Sequence, residues 1–141
     1  MNREVFIPFT YMGQFSRRKG WKTKPTETLV FYTRGTPYRI RRLMVGVIGC
    51  VPAEVERLQK TYTISFQQGE WSVSFTLAEL CGFSFGYILF PEHELPRLSK
   101  FTISLKGEPF KTQGVRVTLA IMGVKVYHIK KPRKLNGGKV A

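Results

Sequence analysis

An all-β fold, an antiparallel β-sandwich, is what this sequence predicts, and three observations carry the expectation. Apolar residues recur with period two in several short runs, which is strand spacing rather than helix spacing. Eleven Phe and six Tyr accompany many Val, Ile and Thr, residue types that pack well on a pleated surface. Turn residues punctuate the runs, so that about seven or eight strands fall at roughly 8–12-residue spacing, as in a sandwich or barrel. A chain of 141 residues has the size of one domain with a real core, and a hydrophobic fraction of 43% separates it from disordered chains.

The elements follow in order. Residues 1–27 read as a basic, aromatic N-terminal arm. Phe6, Phe9, Tyr11, Phe15 and Trp21 mix there with cations, while Gly13, Gly20 and Pro25 interrupt regular structure. So much aromatic surface predicts docking on the body or on a neighbouring subunit. The body spans 28–129. It opens with the apolar run Leu29-Val30-Phe31-Tyr32, a turn at Gly35-Thr36-Pro37, and a longer run to Ile48 whose phase slips at Arg41-Arg42, as a bulge would make it. Pro52 to Leu58 is the one convincing helix, with Pro near its start. Tyr62, Ile64 and Phe66, then Trp71, Val73, Phe75 and Leu77, alternate with Ser and Thr on either side of a Gly69 turn. That is a hairpin with one buried face and one hydroxyl-rich face. Pro91 and Pro96 bracket an acidic loop, Glu92-His93-Glu94. Phe101, Ile103 and Leu105 form the next strand. The last and longest carries Val115, Val117, Leu119 and Ile121, and its phase shift at Met122-Gly123 reads as a second bulge. Residues 130–141 read as a basic, flexible tail.

Charge is distributed unevenly over these parts. The formal net charge is +14, made of +8 over residues 1–42, −3 over 43–98 and +9 over 99–141, and every acidic residue is Glu. Polyanion contact follows readily from this balance. The residues expected to make nucleic-acid or assembly contacts are Arg17, Arg18, Lys19, Lys22 and Lys24 in the arm, Arg39, Arg41 and Arg42 in the body, and Lys130, Lys131, Arg133 and Lys134 in the tail. Tyr11, Phe15 and Trp21 offer stacking faces to unpaired bases.

Catalysis has little to build on. Glu54/Glu56 and Glu92/Glu94 are the close carboxylate pairs, and Glu92-His93-Glu94 is the triplet that most resembles an acid/base site. Ordinary solvated charge is the better reading of both. Cys50, Cys81, His93 and His128 lack the paired spacing of a zinc site, and no Gly-rich phosphate loop is present, so no metal or cofactor is called for. The cysteines read as reduced thiols. No apolar run approaches ~20 residues, so no membrane span is expected, nor is a signal peptide.

Five segments carry a family likeness. They are Thr36-Pro37-Tyr38-Arg39-Ile40, Tyr62-Thr63-Ile64-Ser65-Phe66, the stretch from Leu89 to Pro96, Ser99 to Leu105, and Val115 to Val126 with its Gly123-Val124-Lys125-Val126 ending. Over about residues 36–127 the chain resembles the small single jelly-roll proteins of bacteriophage particles. The resemblance implies a jelly roll and a virion structural role, as a capsid, spike, decoration or head–tail component. It implies other virion subunits as partners, a homo-oligomer, and the host cytoplasm and then the particle as location. No catalytic residues carry over. A nucleic-acid-binding module, OB-like or ribosome-associated, is the alternative, since the same charge pattern serves it.

Overall fold

The computed structural model describes residues 2–16, 26–48, 52–82, 86–107 and 115–130. In them eight strands and two helices run in the order β1 (Asn2–Ser16), β2 (Thr26–Tyr32), β3 (Tyr38–Ile48), α1 (Pro52–Thr61), β4 (Thr63–Gln68), β5 (Trp71–Thr76), α2 (Leu77–Cys81), β6 (Tyr87–Leu95), β7 (Lys100–Lys106) and β8 (Arg116–Lys130). The strands form two four-stranded antiparallel sheets, one ordered β1-β8-β3-β6 and the other β2-β7-β4-β5. The expected β-sandwich is what the chain adopts.

The core lies between the sheets because period two sends alternate side chains there. Phe101, Ile103 and Leu105 of β7 and Ile64 and Phe66 of β4 meet Phe15, Tyr38, Ile40, Leu43, Val117, Leu119 and Ile121 of the other sheet, all almost fully buried. Each such side chain contributes about 1.5–3 kcal/mol by leaving water. The β4–β5 hairpin turns in two residues. Gly69, at φ +56°, takes the first central position, which a type II′ turn reserves for glycine. Leu58 of α1 and Leu77 and Leu80 of α2 join the same core. Thr76 caps α2 by accepting from the Glu79 amide, and the Glu79 carboxylate accepts from the Thr76 amide in return.

Two features of the strands differ from expectation. Residues 2–16 of the expected arm form β1, which pairs with β8 from Asn2↔Lys130 to Ser16↔Arg116 without a break; residues 17–25 and 131–141 lie outside the described residues. The phase change near Met122-Gly123 is not a bulge in β8. The extra residue is Arg41 in β3, since Ile40 pairs with Gly123 and Arg42 with Met122. The bulge expected at Arg41-Arg42 is therefore present, and β8 itself keeps its alternation through Met122-Gly123. Val124 and Val126 stay on the outer face of the sheet. They are nearly buried there beside their cross-strand neighbours Pro8, Phe6 and Arg39.

Gly123 makes the bulge possible. A Cβ at that position would collide with the Arg39 carbonyl oxygen and crowd the Tyr38 ring. With no side chain there, Tyr38 reaches from β3 across β8. Its hydroxyl lies 2.7 Å from the Ile121 carbonyl oxygen and 2.6 Å from the Phe9 carbonyl oxygen of β1, so one proton is shared between two acceptors. Burial raises the Tyr38 phenol far above its ordinary pKa and keeps it a donor.

Candidate assembly and polyanion-contact surfaces

Of the basic residues singled out from sequence, Arg39, Arg41 and Arg42 sit together on β3. Lys130 ends β8, and Arg17, Arg18, Lys19, Lys22, Lys24, Lys131, Arg133 and Lys134 lie outside the described residues. The three arginines are not equivalent. Arg39 Nη2 donates to Glu94 Oε1 at 3.0 Å, and Arg41 Nε lies 3.1 Å from Glu92 Oε1. Their guanidinium carbons also lie 5.2 and 6.0 Å from the centroid of the Phe6 ring. Such half-exposed ion pairs contribute about 0–1 kcal/mol each, yet they give these two cations carboxylate partners within the chain. Arg42 is exposed and has no carboxylate partner among the described residues.

The acidic triplet is part of a strand, not a loop. Alternation along β6 points Glu94 outward to Arg39 and His93 inward. The His93 ring stacks on Trp71 of β5 at 3.8 Å between centroids and 5° between planes, and its Nε2 is 3.2 Å from Gln68 Oε1. Burial pushes the His93 pKa below its ordinary value, so the ring is neutral at neutral pH. The imidazole ties the edge of one sheet to the edge of the other, while Glu92 and Glu94 hold arginines on a different face. The three groups do not converge on a common point, as acid/base chemistry requires. Glu54 and Glu56 pair with Arg57 and Lys60 along α1.

Cys81 is a free, half-buried thiol that donates to the Val45 carbonyl at 3.4 Å, and burial raises its pKa. Cys50 lies outside the described residues. No cluster of three metal-ligating side chains occurs among the described residues, and no helix there is long and apolar enough to cross a membrane.

The outer faces of the two sheets contrast sharply. On β2-β7-β4-β5 the outward rows are rich in hydroxyls: Thr28 lies against Ser104 at 3.4 Å between oxygens, and Ser65 against Ser74 at 2.8 Å, with Val30 and Tyr32 exposed at one end. This is the hydroxyl-rich face expected for the hairpin. The outward rows of β1-β8-β3-β6 mix apolar side chains with polar ones, Thr10, Gln14 and Thr118 among them, and the exposed Arg42 stands between Met122 and Ile88. Met12 of β1, Met122 of β8 and Met44 of β3 alternate with core residues and so face outward. Ile48 of β3 and Ile88 and Phe90 of β6 extend this face to the sheet edge, where Phe90 is 92% exposed. Sequence reasoning did not single out this surface. Its signal is there in outline, in apolar residues at the outward phase of strands whose inward phase is also apolar.

Comparison with family models, with characterised proteins and with solved structures finds no match to this chain.

Proposed function

We propose that this chain is a non-enzymatic structural subunit of a virus particle, that its body is a single jelly roll, and that copies assemble through the exposed apolar side chains on the outer face of β1-β8-β3-β6. One observation carries the reading. Strands pair 1 with 8, 2 with 7, 3 with 6 and 4 with 5. That is one antiparallel ribbon, closed at the β4–β5 hairpin and rolled so that its pairs alternate between two sheets, the order expected of two Greek keys in a jelly roll. The likeness of residues 36–127 to particle proteins of bacteriophages points the same way.

The outer faces give the subunit a direction. Exposed methionines and aromatics such as Met12, Phe6 and Phe90 are adaptable, largely apolar contact groups of the kind association surfaces use, and Arg42 among them supplies a polar contact. The hydroxyl-rich face suits solvent. Repeated copies then bury the same patch many times under closed symmetry.

The test is size-exclusion chromatography with light scattering on the purified chain, at low and high salt, with and without a mixed-sequence oligonucleotide. A closed oligomer that forms without nucleic acid and survives high salt supports the reading. A monomer that changes size only with oligonucleotide at low salt supports the nucleic-acid-binding module instead.

A further inference from the structure

One end of the sandwich carries cations with no carboxylate partner among the described residues. The loop between β2 and β3 meets the loop between β6 and β7 there, and Thr33 clamps the two. Its amide donates to the Ser99 carbonyl at 3.0 Å. Its hydroxyl donates to the Pro96 carbonyl at 2.6 Å and accepts from the Ser99 amide at 2.8 Å. The Leu98 amide donates to the Arg34 carbonyl at 2.9 Å. The clamp holds Leu98 at φ +55°, a left-handed conformation that costs a side-chain-bearing residue roughly 1–2 kcal/mol. Strain of this kind persists where the surroundings over-determine it, and it concentrates at binding sites.

The clamp also displays two large side chains to solvent. Leu98 is 77% exposed and Tyr32 59%. With Thr33 and Arg34 they line a surface cavity of about 260 Å³. Three exposed cations frame it: Arg34 in the lining, Arg97 next to Leu98, and Lys100, the cross-strand partner of Tyr32. In contrast to Arg39 and Arg41, none of the three has a carboxylate partner among the described residues.

We propose that this end of the sandwich binds single-stranded nucleic acid, with one base stacked on Tyr32 and the flanking phosphates held by Arg34, Arg97 and Lys100. A rigid rim with an open aromatic face accepts any base, and cations around it follow the backbone. An acidic peptide would satisfy the cations but leave the Tyr32 face unused. The inference deepens the particle reading, because it says which groups of a shell subunit touch the packaged strand. It moves that contact from Arg39 and Arg41 to Arg34, which belongs to the same basic cluster in the sequence, and to Arg97 and Lys100, which belong to none.

The test is fluorescence anisotropy of a labelled mixed-sequence 12-nucleotide single strand with the full chain, across a salt series. Tyr32→Ala is expected to weaken binding roughly 5- to 150-fold, the range for one lost base stack. Arg34→Gln and Arg97→Gln are each expected to lower the slope of log affinity on log salt by about 0.7. Arg116→Gln removes the same charge at the far end of β8 and is expected to leave the Tyr32-dependent part of binding in place. Ultraviolet cross-links should map to residues 32–34 and 97–100. Three results would overturn the proposal: Tyr32→Ala binding like the wild type while melting like it, an abasic strand binding as tightly, or polyglutamate competing equally. Light scattering on the same samples separates the two readings. Binding by a chain that never assembles defeats the particle reading alone, and assembly without Tyr32-dependent binding defeats this one alone.

Discussion

Removing the Tyr38 hydroxyl tests the physical centre of the fold. Tyr38→Phe keeps a ring that is 1% exposed and deletes one proton shared between the Phe9 and Ile121 carbonyls, 2.6 and 2.7 Å away. A net intramolecular hydrogen bond contributes about 0.5–1.5 kcal/mol, and a buried acceptor left short of a donor adds to the loss. The expected destabilisation is about 1–2 kcal/mol. A chain of 141 residues unfolds with an entropy of ~0.3 kcal/mol/K, so the melting temperature should fall by roughly 3–7 °C. Urea titration, followed by tryptophan fluorescence, should show a lower midpoint with an unchanged slope. Gly123→Ala should cost more, about 2 kcal/mol or beyond, because its methyl has to displace the Arg39 carbonyl and the Tyr38 ring. If Tyr38→Phe melts like the wild type, the hydroxyl does not tie β3 to β1. If Gly123→Ala does too, the bulge at Arg41 is not built on that glycine.

Three further outcomes follow from the geometry. His93 has its pKa lowered in the fold, so the native state resists its protonation. Stability is therefore complete above about pH 6.5 and declines as pH falls toward the folded value; the decline should be absent in His93→Phe when urea midpoints are compared from pH 5 to 8. A double-mutant cycle on Arg39→Gln and Glu94→Gln should return a coupling under about 1 kcal/mol that shrinks as salt is added; a larger, salt-insensitive value would mean the pair is effectively buried. Leu98→Gly should raise the thermal midpoint slightly, by roughly 0.5–1 kcal/mol of released strain, and a lowered midpoint would show that Leu98 contributes more by contact than it costs by conformation.

What could be read from the residues was mostly local. The β4–β5 hairpin, α1 and β7 each carry their own pattern, and burial follows it residue by residue. The slip at Arg41-Arg42 was also legible, because one extra residue between Ile40 and Leu43 breaks period two in any context. β1 was harder to see. Phe6, Ile7, Pro8 and Phe9 are apolar on both faces, Gly13 and Pro8 look like breaks, and the partner strand begins about a hundred residues away. Gly13 is in fact small because Leu29 and Phe31 pack where its side chain would be. The short helix α2 had a signal that was passed over, Thr76 followed by Glu79, because Leu77 also continued the alternation of β5. The prolines make the acidic segment look like a loop, although Pro91 sits at an irregularity of β6 and Pro96 just past its end. The surfaces were the least legible part. Arg39 and Arg41 look like free cations until β6 brings Glu94 and Glu92 against them; Arg34 stands in the same basic cluster, but nothing in the sequence joins it to Arg97 and Lys100. Pairing between distant strands decides which charges meet, and spacing along one strand does not contain it.

Association of copies through the exposed apolar side chains of the β1-β8-β3-β6 outer face is checked by sedimentation velocity on the wild type and on a Met12→Glu, Phe90→Glu double variant. Both side chains are exposed in the subunit, at 73% and 92%, so the variant should fold and melt like the wild type. The account predicts a closed oligomer for the wild type, unchanged by high salt, and a folded monomer for the variant. A wild type that remains monomeric across the concentration series, or a variant that assembles as the wild type does, would contradict it.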